Sequence, residues 1–253
     1  MYKYIINPLS NRKVKITSKL GKNIIKNYLE HSLIQASNTL FKRGGGNIDE
    51  DEVCDNQCLT SIFGNFNAPI KTLEETNENN ENINNTYGTI TPNGVKKLCT
   101  HLLIENTDTF LDLGSGIGNV VIQFALNTPI KKSTGIEYLN SRYNKSIEFL
   151  NKFKHIFPSK LNHVHLINGD INNYDINENI VFTCSTCFPS HLMDSIKQKC
   201  EKNENLKYLI TQQKIEGNTT LTYLGYVITE CSWNKECIQH IYTNTNNASI
   251  LYS

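Results

Sequence analysis

The chain predicts an α/β fold, a Rossmann-like doubly wound sheet with a C-terminal antiparallel hairpin, and three observations carry that prediction. From Thr86 onward, short apolar runs alternate with helical periods, which implies a mostly parallel sheet covered by helices on both faces. The stretch TFLDLGSGIGNVVIQFA, from Thr109 to Ala125, reads as an apolar strand, a tight glycine turn and the first turns of a helix. From Thr219 on, LTYLGYVIT and then IQHIYT read as two strands that pair with each other. At 253 residues there is length for one such domain, a real core and a modest extension.

Taken in order, Val95–Leu103 reads as a helix entered through Thr91-Pro92, a proline suited to a first helical turn. Strands are expected at Phe110–Leu113, Ser133–Ile136, His163–Ile167, Asn179–Thr183 and Leu206–Thr211. Helices are expected at Asn119–Asn127, Asn140–Phe153 and Ser190–Cys200. The rest of the chain divides by composition. Residues 1–42 form a basic segment: Lys3, Arg12, Lys13, Lys15, Lys19, Lys22 and Lys26 precede the first acid, Glu30. Apolar residues at Ile24, Ile25, Tyr28, Leu29, Leu33 and Ile34 predict an amphipathic helix within it. Residues 43–85 read as a flexible linker and a polar low-complexity tract, from KRGGGNIDEDE to EETNENNENINN, too polar to order itself. The catalytic domain is expected over 86–253.

A formal charge of +1 gives no global field for nucleic acid or membrane, although the basic residues 1–42 form a local one suited to phosphate. No apolar run reaches the roughly 20 residues a spanning helix needs, and no secretory leader is evident, so no membrane is expected. Eight scattered cysteines suit a reduced, intracellular setting better than a disulfide scaffold. Cys54 and Cys58, with Cys184 and Cys187, have spacings that zinc sites use, but they fall in a linker and a loop. No metal is expected.

The glycine turn and the acids around it together point to the cofactor. Gly114, Gly116 and Gly118 are spaced G-x-G-x-G, with Ser115 inside the turn, and Asn119 stands where a dinucleotide fingerprint has its third glycine. Asp112 discriminates better. A carboxylate two residues before Gly114 repels a pyrophosphate and attracts an ammonium or a sulfonium. Glu137, ending the second strand, is placed for two ribose hydroxyls, and Asp170, after the third, for an adenine amino group. Three acids at three successive strand ends suit a cationic nucleoside, S-adenosyl-L-methionine.

Five stretches, in order, resemble the non-SET histone-lysine methyltransferases, the disruptor-of-telomeric-silencing family. TYGTITPNGVKKLC resembles the family's Y-G-E loop and following helix, and FLDLGSGIGNVVIQFA its cofactor loop. GIE matches the ribose strand, NGD the adenine loop, and CSW the late strand whose tryptophan, here Trp233, lines a lysine channel. The resemblance implies cofactor contacts from Tyr87, Thr91, Asp112, Gly114, Gly116, Asn119, Glu137, Asp170 and Ile171. It implies a histone or nucleosome-like protein substrate and a nuclear location. INPLSNRKVKI also resembles a short N-terminal module, N-P-x-[ST]-x-R-x-[IV]-K, of large cytoplasmic DNA viruses, which would place the chain in a viral factory.

The departures are specific. The family's loop glutamate is Thr89 here; Cys184 and Ser185 replace a pair of asparagines beside the transferring methyl; His240 stands where the family has a channel tyrosine. Methyl transfer from a sulfonium asks the protein to align the nucleophile and exclude water. A lysine must also lose its proton, which an apolar channel promotes. Trp233, Phe182, Phe188 and Tyr242 are expected as its walls and His240 as proton acceptor. The expected activity is therefore methylation of a protein lysine. The alternatives are a nucleic-acid base or small molecule as acceptor in the same fold, and a cofactor-binding module without catalysis. A nicotinamide oxidoreductase is opposed by Asp112.

Overall fold

The computed structural model describes residues 4–6, 13–15, 17–18, 54, 56–64 and 88–244. The chain forms two units, Met1–Glu52 and Val53–Ser253. In the first, β1 (Tyr4–Ile6) and β2 (Lys13–Lys15) pair antiparallel. The expected helix around Ile24–Ile34 lies outside the described residues, as does the polar tract before Gly88.

The second unit opens with α1 (Asn56–Phe63), a correction to the linker reading of 43–85. Leu59 and Phe63 give this helix an apolar face. The Phe63 ring lies 5.0 Å from those of Phe149 and Phe153 on α4 (Asn140–Ile156). Buried aromatic area of that size outweighs the polar sequence on either side. α2 (Pro92–His101) starts at the expected proline, with Thr91 as its N-cap.

β3 (Thr109–Leu113), β4 (Lys132–Glu137), β5 (Val164–Asn168), β6 (Ile180–Thr183) and β7 (Tyr208–Thr211) are parallel. β8 (Leu221–Thr229) and β9 (Cys237–Asn244) are antiparallel, and the sheet order is β5-β4-β3-β6-β7-β9-β8. The hairpin turns back so that β9, not β8, adds to β7, with Ile210 opposite Ile241. A register shift between Tyr223 and Gly225, where Gly225 has φ 125°, bends β8 along the edge.

α2, α3 (Asn119–Asn127) and α4 cover one face, with the short α5 (Pro158–Leu161); α6 (Ser190–Lys202) covers the other. Central strands are buried on both faces, which is why they read as unbroken apolar runs. Phe110 stacks on Phe124 with centroids 3.8 Å apart, fixing β3 against α3 and so the turn between them. The chain passes from β3 out to β4 and β5, then returns to β6 and β7 on β3's other side. Their carboxyl ends diverge there, and such a switch point is where sheets of this kind bind ligands.

Candidate active site

Asp112 is the penultimate residue of β3, at that point. Only 2 % of it is exposed, and its Oδ1 has no hydrogen-bond partner among the described residues. Burial, and then the charge of Glu137, raise its carboxyl well above the ordinary range. A buried acceptor without a donor is costly, so the position fits a ligand that brings an ammonium.

The glycine turn follows. Gly114, Gly116 and Gly118 have φ of 80°, 56° and 78°, a region that side chains disfavour. The amides of Gly114 and Ser115 both donate to Ile136 O, at 2.9 and 2.8 Å, locking the turn onto β4. A Cβ on Gly114 would lie 2.9 Å from the Phe188 ring, so this glycine leaves room for the aromatic wall. The Ser115 hydroxyl is buried and lacks a partner among the described residues.

Glu137 ends β4. Its Oε2 accepts from Gly116 N at 2.7 Å and its Oε1 from Leu139 N at 2.9 Å. Both oxygens are thereby aimed along the turn. Asp170 follows β5, and its Oδ1 caps a single turn of 3-10 helix, Ile171–Asn173, by accepting from Asn172 N at 2.8 Å. Ile171 is buried beneath it.

Several expected contacts have other work. The Thr91 hydroxyl accepts from Gly94 N at 3.3 Å and faces Glu230, so it caps α2 and ties it to the hairpin. Asn119 donates to Thr89 Oγ1 and Ile90 O, both at 2.9 Å, while its carbonyl accepts from Gln123. Its amide holds the 88–91 segment beside the glycine turn. Thr89, where the family has a glutamate, takes one of those bonds. Tyr87 lies outside the described residues.

Around the β6 end, Cys184 Sγ lies 3.7 Å from Gly88 O and 3.6 Å from Gln212 Oε1. Burial, then the nearby Asp112, push its thiol far above the ordinary value, so it is a neutral packing group. Ser185 is fully buried, and its hydroxyl accepts from the amides of Gln212 and Gln213 at 3.2 and 3.1 Å. It staples the β6 loop to the end of β7. Trp233 is 46 % exposed and packs over Gly88, where a Cβ would sit 2.2 Å from the ring. Phe182 is fully buried in one core, and Tyr242 is buried in the other, accepting from Ile215 N at 3.0 Å. Phe188 lies against Gly114 and Trp233 against Gly88.

His240 also departs from expectation. Its Nδ1 is 3.1 Å from Tyr223 Oη, and the strand pleat sets it on the face opposite Ile241, which shares a core with Cys184. Burial, then Lys214, lower its pKa. Among the described residues its hydrogen bond goes to the hairpin, not to the β6 loop. Cys54 and Cys184 belong to different cores, so the two cysteine pairs do not meet.

Sequence reasoning missed Gln212 and Gln213. The Gln212 carboxamide takes Thr186 Oγ1 and the Cys184 thiol on its oxygen and donates to Cys231 Sγ at 3.4 Å. Gln213 Nε2 donates to Ser185 O and, at 2.8 Å, to Phe188 O. Two polar residues after a predicted strand were the available signal.

A parallel sheet of this order, a reversed strand next to its edge and an acid-rimmed glycine turn at the switch point define the class I S-adenosylmethionine-dependent methyltransferase fold. The family model described as Histone methylation protein DOT1 matches residues 70–241, more than half the chain, and the chain belongs to that family. A histone-lysine N-methyltransferase, H3 lysine-79 specific, of Drosophila melanogaster is 30 % identical over 118 residues, covering 46 % of this chain. The chain spans only 6 % of that relative's length. An RNA methyltransferase from Salinibacter ruber, solved with S-adenosyl-L-homocysteine, is 20 % identical over 59 % of this chain and 89 % of its own, with a TM-score of 0.47. A SAM-dependent methyltransferase from Aquifex aeolicus is 16 % identical over 62 % and 91 %, with a TM-score of 0.45.

Proposed function

We propose that the protein transfers a methyl group from S-adenosylmethionine to a lysine amine of a histone or histone-like protein. The observation that carries the cofactor half is Asp112: a buried carboxylate with an unused oxygen, beside a turn tied down by a second acid. Family membership and the Drosophila relative support the acceptor half.

When bound, S-adenosylmethionine supplies an already activated methyl on a sulfonium, open to in-line attack. The residues then have four tasks. Asp112 would pair with the ammonium of the methionine end. Glu137, which keeps the turn closed through Gly116 N, would take the ribose hydroxyls. Asp170 would accept from the adenine amino group, with Ile171 supplying apolar contact. Phe188 and Trp233 exclude water and give the acceptor's stem an apolar passage, which lowers the amine pKa and favours loss of its proton to solvent. Cys184 contributes apolar packing beside them. A nuclear location, the contact of residues 1–42 with nucleic acid and a viral setting belong to this proposal too.

The test is transfer of labelled methyl to nucleosomes, free histones and RNA, with Asp112→Asn as the blank. Label on histone or nucleosome upholds the reading. Label on RNA alone overturns the acceptor half, and tight cofactor binding without any transfer leaves a non-catalytic module.

A further inference from the structure

We infer that Lys199 is a positioning residue for the nucleoside end of the cofactor, acting through the turn that presents Asp170 and Ile171. The inference rests on the cofactor reading above. Lys199 lies in the last turn of α6, and its ammonium donates to three backbone carbonyls: Ile171 O at 3.1 Å, Asn172 O at 2.6 Å and Tyr174 O at 2.7 Å. Each of its three protons therefore has an acceptor on one short segment. Among the described residues no carboxylate lies within ion-pair distance of it, so its charge is satisfied by that segment alone.

A turn of only three residues has little stability of its own. Its internal bonds are Asn173 N to Asp170 O, Tyr174 N to Ile171 O and the Asp170 carboxylate on Asn172 N. Its carbonyls converge, and without a cation between them their dipoles repel. The ammonium removes that repulsion and fixes where the Asp170 carboxylate and the Ile171 side chain stand. A compact point charge with three donors suits three converging carbonyls; a planar guanidinium does not.

α6 also begins directly after the β6 loop. Phe188 O is held by Gln213, and Ser190 starts the helix nine residues before Lys199, roughly 14 Å along its axis. One rigid element thus carries the methyl-side loop at its start and grips the adenine-side turn near its end.

The experiment compares wild type with Lys199→Met and Lys199→Arg by calorimetric binding of S-adenosylhomocysteine and 5′-methylthioadenosine, together with kcat, KM and Tm. Lys199→Met is expected to weaken both ligands by about tenfold and raise the cofactor KM similarly, with kcat within about twofold of wild type. Lys199→Arg should fall between. Asp112→Asn serves as a contrast, weakening the first ligand but not the second, which lacks the ammonium. Unchanged affinities in Lys199→Met overturn the inference, as does a lower Tm and binding stoichiometry with Kd unmoved. Should Lys199→Met not fold, Lys199→Arg decides: wild-type affinity for both ligands overturns it. If wild type binds neither ligand, the cofactor reading itself fails, an outcome distinct from those above.

Discussion

Replacing Asp112 by Asn separates the charge from the shape of the site. In the bound state the lost attraction is that of two unit charges about 4 Å apart, about 4 kcal/mol at an effective dielectric of about 20. The amide keeps one oxygen to accept a hydrogen bond, so the net loss is about 2–3 kcal/mol, or roughly 30- to 150-fold in Kd for S-adenosylhomocysteine. The pH dependence follows from the raised carboxyl pKa, caused first by burial and then by Glu137. Cofactor binding competes with the proton, so wild-type affinity falls as pH drops below that raised value, by up to about tenfold per unit. Stability of the ligand-free protein runs the other way. A group whose folded pKa lies above its unfolded value contributes stability that is complete below the unfolded value, 3.8, and is lost as pH rises through the folded one. Calorimetric titrations and thermal melts between pH 5 and about 8 read both effects. Asp112→Asn should flatten both curves. Parallel curves for wild type and variant, or an equal Kd, would refute the assignment of Asp112 to the ligand's cation.

Other outcomes follow from the same geometry. Asn119→Ala removes two buried bonds to the 88–91 segment and strands Gln123, costing about 2–3 kcal/mol in denaturant melts and raising the cofactor KM. Ser185→Ala leaves two amides at the end of β7 without their acceptor and should cost about 1–3 kcal/mol, with activity falling in step with folded fraction. His240→Gln should retain most of the transfer rate, and the acid limb of the pH profile should not move, because His240 bonds to Tyr223. Trp233 is the chain's one tryptophan, so intrinsic fluorescence reports the site directly: Gly88→Ala, which drives a Cβ into its ring, should shift the emission and weaken acceptor KM.

The sheet was legible because its central strands are buried on both faces and read as apolar runs; the four helices expected beside it lie within three residues of expectation at each end, and the short α5 was not expected. Leu206 and Lys207 looked like strand, but their amides serve a turn and Asn179, and β7 starts at Tyr208. α1 was illegible because its stability comes from Phe149 and Phe153, some ninety residues away. At the site, the placing of Asp112, Glu137 and Asp170 at or just after three strand ends was readable because the strands themselves were. The internal bonds of Thr91, Asn119 and Ser185 were not legible, for the opposite reason. Hydroxyls and amides cap helices and tie loops as readily as they bind ligands, and residue type does not say which way they face. Lys199, Gln212 and Gln213 act on segments distant in sequence, and no local pattern announces that.

We propose that the cofactor held at the acid-rimmed turn gives its methyl group to a lysine. Acid hydrolysis of histone labelled by this protein from methyl-labelled S-adenosylmethionine, followed by amino-acid analysis, tests it most directly. The label should elute as methyllysine and be absent with Asp112→Asn. Label in methylarginine or in a nucleic-acid base, or methyllysine formed equally well without the Asp112 carboxylate, would contradict it.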